Sequence, residues 1–192
     1  MKKRIRFATI DDAEKILSIY EPYIKNTAIT FEYEVPSLEE FSSRIKNICK
    51  DYPYLVYEVD EKIVGYAYAN RAMSRAAFNW NAELSIYIDE NYRGQGVGKT
   101  LYSALLKILT HQNIVNVYAL VVSPNSGSEK LHKYFGFKEV GLHHNTGYKL
   151  GKWHDLSYLC KIISDFDNPP KKFISVNDID KNIIKNILSE CI

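Results

Sequence analysis

Apolar and polar residues alternate over positions 5–8, which predicts a short first strand. Thr9 with the acidic pair Asp11 and Asp12 marks a helix start. Ala13, Ile16, Leu17 and Tyr20 then recur at helical spacing, with Pro22 near the end of that helix. Residues 27–35 are β-prone and aromatic, so an extended segment or short strand is expected. Ser37 with Glu40 three positions later is a capping-box pattern, opening a helix whose face carries Phe41, Ile45 and Ile48. Residues 54–59 and 63–69 read as strands joined by Asp60, Glu61 and Lys62, a β-hairpin. A loop over 70–81 leads into a strand over 82–88. The helix after it sets Leu101, Ala104, Leu105, Ile108 and Leu109 on one face. The nearly continuous apolar run 117–122 predicts a strand buried on both faces. A short helix over 126–135 ends at Gly136, residues 138–142 are extended, and 153–163 make a last strand. This alternation predicts an α/β fold, a mixed sheet with helices on its faces.

The character changes at Asp165. Asn168, Pro169 and Pro170 are turn or linker residues, and Ile179, Ile183, Ile184, Ile187 and Leu188 mark a short amphipathic helix. The division expected is a main domain over 1–164 and an extension over 165–192. Either the extension docks on its own domain or it serves as a partner- or dimer-binding arm.

A chain of 192 residues is long enough for one sizeable core plus such an appendage. A formal charge of +2, with Lys and Arg scattered, argues against a nucleic-acid partner. No apolar run is long enough to span a bilayer and no signal peptide precedes the first strand. The cysteines Cys49, Cys160 and Cys191 are odd in number and have no metal-ligand spacing. That points to reduced thiols in a cytoplasmic protein and to no metal site.

The chemistry is expected between residues 83 and 111. Gly94, Gly96 and Gly98 stand at every second position between a β-branched strand and a helix. Glycine lets backbone approach a ligand closely, and the unpaired N–H groups of a helix start favour a phosphate. A Walker A loop would need glycine where Arg93 stands, although Gly98, Lys99 and Thr100 fit its end. The dinucleotide spacing G-x-G-x-x-G fails as well.

The loop does resemble the pyrophosphate loop of the GCN5-related N-acetyltransferases, [QR]-x-x-G-x-[GA], through Arg93, Gly96 and Gly98. Three further signatures follow the phosphinothricin and methionine-sulfoximine acetyltransferase branch of that superfamily. One is the strand Glu83-Leu84-Ser85-Ile86-Tyr87-Ile88 after Arg75, Phe78 and Trp80. Another is Asn125-x-x-Ser128-x-x-Leu131-His132-x-x-x-Gly136-Phe137, and the last is Gly147-x-Lys149-x-Gly151-Lys152-Trp153-x-Asp155. The resemblance covers residues 4–163. It implies the GNAT fold, a mixed, mostly antiparallel sheet with helices on both faces, and acetyl-CoA as cosubstrate. It also implies transfer to the amine of a small amino-acid-like compound such as phosphinothricin or methionine sulfoximine or sulfone.

Carried over by position, the resemblance makes Glu83 the base and His132 the acid, with Tyr134 and water as rivals to His132. Arg93, Gly94, Gln95, Gly96, Val97, Gly98, Lys99 and Thr100 would hold the pyrophosphate. Ser85, Ile86, Tyr87 and Ile88 would pair with the pantetheine arm, the N–H of Tyr87 or Ile88 polarising the thioester. Asn125 and Ser128 would complete the cofactor site. Arg75 would clamp an acceptor carboxylate, with Phe31, Phe78 and Trp80 as walls. Lys149, Lys152 and Trp153 would form the far side of that pocket or a dimer contact, because the branch often dimerises through its last strands. The branch also tends to carry a Trp near Ala72 and a basic residue near Met73, which this chain lacks. Phosphinothricin itself is therefore in question. Other readings are acetylation of another small amine or a protein N-terminus, and a catalytically silent acyl-CoA-binding module.

Overall fold

A computed structural model describes all 192 residues. The strands are β1 (Lys3–Phe7), β2 (Tyr54–Val59), β3 (Lys62–Arg71), β4 (Asn81–Ile88), β5 (Asn116–Ser123), β6 (Lys138–Lys149) and β7 (Lys152–Ile162). They form one sheet in the order β1-β2-β3-β4-β5-β7-β6. Every pairing is antiparallel except that of β4 with β5. The helices are α1 (Ala13–Asn26), α2 (Leu38–Ile48), α3 (Val97–His111), α4 (Ser126–Tyr134) and α5 (Lys181–Glu190).

Strand alternation assigns the two faces. On one, α1 and α2 pack Ile16, Tyr20, Ile24, Phe41 and Ile45 against Tyr54, Val56 and Tyr66. On the other, Leu101, Leu105, Ile108 and Leu109 of α3 meet Leu55, Val64, Ala67, Leu84, Val117 and Ala119. These α3 side chains are fully buried, worth about 1.5–3 kcal/mol each in transfer free energy. The Ser37 side chain accepts from the Glu40 N–H at 3.1 Å, as the capping pattern requires.

Three expectations need correction. Residues 27–35 form no strand; they are irregular and pinned by side chains, as described below. The strand β5 is not buried on both faces: Val117, Ala119 and Val121 are buried, but Leu120 is 37% exposed. The α1–α2 layer covers β2 to β4 and stops short of β5, β7 and β6. The segment after Gly136 is also longer than expected, since β6 runs to Lys149 and turns into β7 through Leu150 and Gly151 at positive φ.

The tail is docked. Val176, Ile179 and Ile187 belong to the main core. The buried Gln112 side chain donates to the carbonyls of Asp51 and Ile174, and Lys107 pairs with Glu190 at 2.9 Å. The tail from Phe173 to Cys191 therefore shares the core of the rest of the chain, while 165–172 are exposed.

Candidate active site

The centre of the sheet is where its strands part. The parallel pairing of β4 with β5 covers only Asn81, Ala82 and Glu83 opposite Asn116, Val117 and Tyr118. Beyond it β4 continues to Ile88 with β3 on one side only. A narrow slot of about 60 Å³ opens there, lined by Leu84 to Tyr87, Ala119 to Val122, Tyr102, Asn125, Ser128 and His132.

Backbone direction decides which groups of β4 face this slot. The Asp89 N–H donates to the Val64 carbonyl on β3. Antiparallel alternation then sends the N–H groups of Tyr87, Ser85 and Glu83 to β3 as well. The edge groups belong to Leu84, Ile86 and Ile88. Leu84 adjoins the last β5 pairing, so Ile86 is the first residue with no strand opposite. Ile88 is already occupied: its carbonyl accepts from the Tyr23 hydroxyl at 2.6 Å, and its N–H donates to the same oxygen at 3.2 Å. One expectation changes: the Tyr87 and Ser85 backbones belong to the sheet, which leaves Ile86 as an open donor beside Ile88, whose N–H meets the Tyr23 hydroxyl. Leu84, whose carbonyl shares this edge, was missed, although strand periodicity would have found it.

At the end of β4 the chain turns through Asp89 to Tyr92 into the glycine loop. Gly94 (φ 74°) and Gly96 (φ 87°) adopt the left-handed region that other residues avoid. The N–H groups of Gly94, Gln95, Gly96, Val97, Gly98 and Lys99 find no acceptor in the protein; the first helical bond is from the Thr100 N–H to the Gly96 carbonyl. Gly98 is closely packed, since a Cβ there would lie 3.2 Å from Ile88 Cδ1 and 3.5 Å from Leu131. Six successive free amides at a helix N-terminus make an anion cradle. Arg93 lies over the Tyr23 ring at 4.9 Å and Lys99 over the Tyr134 ring at 3.7 Å. A wider hollow of about 580 Å³ lies on the far side of this loop, where Lys15, Lys62 and Arg93 mix with Asp60, Glu61, Asp89 and Glu90.

Glu83 sits at the fork itself, partly buried, with no hydrogen-bond or ion-pair partner in the protein. It shares the α1 face with Ser85 and Tyr87, and stands opposite Asn70 on β3 and Tyr118 on β5. Burial raises its pKa above the ordinary carboxyl value. The buried Asn70 Oδ1 beside it is also without a partner.

His132 is 3% exposed on the opposite, α3 side. Its Nδ1 lies 2.8 Å from the Ser128 carbonyl, which can only accept, so Nδ1 carries the proton. Nε2 then accepts from the Tyr102 hydroxyl at 2.9 Å. Burial lowers its pKa, opposed by the Ser128 carbonyl. In this arrangement the one proton of the neutral imidazole rests on the Ser128 carbonyl, and the Tyr102 hydroxyl stands at its other nitrogen. Tyr134 is 63% exposed with Lys99 on its ring, and it does not line the slot. Asn125 caps α4, its Oδ1 accepting from the Ser128 N–H at 3.2 Å.

The expected acceptor residues do not gather. Arg75 and Phe78 lie on an exposed turn, and the Arg75 side chain has no hydrogen bond or ion pair. Trp80 is elsewhere: its indole N–H donates to the Lys171 carbonyl at 2.6 Å, in a cleft with Thr110, Asn113 and Pro170. It anchors the tail and walls no pocket beside Glu83. Phe31 packs against Gly147, where a Cβ would come within 2.2 Å of its ring. The buried Lys149 donates to the Thr30 carbonyl at 2.7 Å, tying residues 27–35 to the β6–β7 turn.

A family model described as an acetyltransferase (GNAT) domain matches residues 5–157. The chain belongs to this family. As a member of the GNAT acetyltransferases it is an acyltransferase, and the family uses acetyl-CoA. It is 33% identical over 165 residues to the phosphinothricin N-acetyltransferase of Streptomyces viridochromogenes, covering 86% of this chain and 88% of that one. It is 29% identical to the L-methionine sulfoximine/L-methionine sulfone acetyltransferase of Pseudomonas aeruginosa, covering 83% and 94%. A crystal structure of a GNAT phosphinothricin acetyltransferase from Sinorhizobium meliloti in complex with acetyl-CoA superposes with a TM-score of 0.83. That pair is 31% identical over 90% of this chain and 94% of that one. No helix of this acetyltransferase is long and apolar enough to cross a membrane.

Proposed function

We propose that this GNAT member transfers the acetyl group of acetyl-CoA to the primary amine of a small amino-acid-like compound. The observation that carries the reading is the run of free amides from Gly94 to Lys99, leading from an open strand edge beside an unpaired, partly buried carboxyl group. The amides hold the pyrophosphate of the cosubstrate. The carbonyls of Leu84 and Ile86 accept from its amide arm, and the Ile86 N–H polarises the thioester carbonyl. Asn125 lines the slot, and its amide nitrogen, not used in the cap to Ser128, serves as a further donor. Glu83 accepts the proton of the acceptor's ammonium, for which its raised pKa suits it better than an exposed glutamate. His132 fixes Tyr102, and the departing thiolate takes its proton from water.

The Arg75 side chain is unpaired and free to clamp an acceptor carboxylate, with Phe78 on the same turn; Phe31, held at Gly147, would reach the acceptor from a separate segment. The amino-acid derivatives named for the relatives set the class, and the missing Trp and basic residue at Ala72 and Met73 set this chain apart. The test is thiol release from acetyl-CoA over a panel of phosphinothricin, methionine sulfoximine, methionine sulfone, polyamines and a peptide N-terminus. Release with only the peptide would replace the small-molecule reading, and tight binding without release would make this a silent acyl-CoA module.

A homodimer through the last strands is part of the proposal. Val140, Leu142, Leu150, Trp153 and Ile162 are exposed on β6, β7 and their turn, where no helix layer from α1–α2 reaches. The three cysteines are all free, which fits the reducing cytoplasm. Sedimentation of the wild type beside Trp153→Glu checks the dimer.

A further inference from the structure

Glu83 of β4 and Asn70 of β3 stand directly opposite each other in an antiparallel pair. Tyr66 lies in the core beneath α1 and α2, with Tyr68 and Tyr87 packed against it. Alternation along the two strands therefore brings Asn70 to the same face as Glu83. Opposed side chains of such a pair leave their Cβ atoms about 4.5–5.5 Å apart. The polar groups around them are engaged elsewhere. Asn81 accepts from Asn116 Nδ2 at 2.8 Å, Glu32 pairs with Arg44 at 2.7 Å, and Lys149 donates to the Thr30 carbonyl. Five buried side-chain atoms lack any partner, those of Tyr52, Asn70, Asn79, Gln112 and Ser164, and of these residues only Asn70 lies in a strand. The atom concerned is Oδ1, an acceptor, and it faces a carboxylate, which also only accepts. Neither can satisfy the other, so whatever completes them has to bring hydrogen. A buried acceptor without a donor destabilises a fold, and an apolar side chain at position 70 would avoid that cost.

We infer, on the footing of the proposed function, that Asn70 binds the acceptor's amine: its Oδ1 and the Glu83 carboxylate receive the ammonium together, one N–H each. The ammonium supplies the hydrogens that neither group finds in the protein. The N–H directed at Glu83 breaks as the carboxylate takes the proton, and the nitrogen keeps the electron pair for attack on the thioester carbon. The N–H on Asn70 Oδ1 stays in place and holds the nitrogen while it changes from ammonium to amine. The third N–H of a primary ammonium is left free. After the transfer the Glu83 carboxyl is itself an O–H donor and can turn that hydrogen to Asn70 Oδ1. Asn70 thereby favours the proton on the glutamate, in the same sense as burial does. The unpaired oxygen in the free protein is a site preorganised for this one ligand group.

The experiment compares Asn70→Leu and Asn70→Ala with the wild type in thiol release and in calorimetric titration in the presence of CoA. The probes are methionine sulfone, or the panel amine turned over fastest, and the same molecule with hydrogen in place of its amino group. Leu approximates the shape of Asn and lacks the acceptor atom. Both variants should raise the acceptor KM about tenfold, the scale of one lost hydrogen bond to a charged group, while the KM for acetyl-CoA stays within about twofold. Affinity for the molecule without the amine should not change, which confines the loss to the N–H contact. Without ligand, Asn70→Leu should melt no lower than the wild type, because it removes a buried acceptor that nothing pairs. A lower Tm in Asn70→Leu with an unchanged acceptor KM would make Asn70 a structural residue and overturn the inference. Equal losses of affinity for the two probes would overturn it as well, and in both cases the acetyltransferase reading stands. A wild type that releases thiol with no amine of the panel overturns both.

Discussion

Replacing Glu83 by Gln tests the base, and pH separates its two consequences. The substitution keeps shape and burial while removing the acceptor of the substrate proton. A positioned general base contributes about 10²–10⁴-fold, equivalent to about 3–5 kcal/mol of barrier. The kcat/KM of Glu83→Gln should therefore fall at least a hundredfold at pH 7. The gap should narrow as pH approaches the acceptor's own ammonium pKa, where free amine no longer needs a base. Stability should move the other way. Burial holds the Glu83 pKa above its ordinary value, so the folded state keeps its proton longer than the unfolded chain does. The stabilisation from that proton is complete below the ordinary carboxyl pKa and is lost as pH rises through the raised one. Glu83→Gln escapes this loss, so relative to the wild type its melting temperature should gain between pH 4 and pH 7. The assay is thiol release from saturating acetyl-CoA between pH 5 and 10, with melts at both pH values. A variant within threefold of wild type that keeps the same acidic limb would refute the role of Glu83 as base.

Gly147→Ala places a Cβ 2.2–2.6 Å from three atoms of the Phe31 ring, so the ring must move; the acceptor KM should rise several-fold while that for acetyl-CoA holds, as steady-state kinetics will read. Trp80→Phe loses the bond to the Lys171 carbonyl, for about 1 kcal/mol or roughly 2–4 °C in Tm. A changed acceptor KM in that variant would return Trp80 to the pocket. His132 is held neutral with its pKa lowered by burial, so its contribution is present above the ordinary imidazole pKa and lost as pH falls through the lowered one. The wild type should lose Tm across that acidic window, and His132→Gln, starting lower, should show a flatter slope in melts at pH 5 to 8.

The parts legible in the sequence are those whose physics is local. Gly94 and Gly96 announce positive φ by themselves, and the helix behind them follows from the spacing of Leu101, Leu105 and Ile108. Ser37 caps α2 because its partner Glu40 is three residues away. The run at Val117 to Val122 misleads because burial of its second face depends on how far α1 and α2 reach, which no periodicity within β5 records. The resemblance makes Trp80 a pocket wall, but its hydrogen-bond partner lies 91 residues on. Position in a motif gave His132 a place and left its proton undetermined; that is decided by the Ser128 carbonyl at i−4 and by Tyr102 on another helix.

The same contrast separates donor from acceptor recognition. The proposed donor site is built from main-chain groups, the amides of Gly94 to Lys99 and the edge of Ile86. A main-chain site needs only a strand, a glycine loop and a helix in succession, so one continuous stretch from Glu83 to His111 carries it. The acceptor side has no such stretch. Phe31 is placed by Gly147, Lys149 by the Thr30 carbonyl, and Arg75 by a turn with few contacts of its own. Each is a pairing across the fold, set by side chains on segments that vary independently. Under the proposed function, substitutions among these acceptor-side residues alter which amine is taken while the glycine loop, and with it the choice of acyl donor, stays as it is.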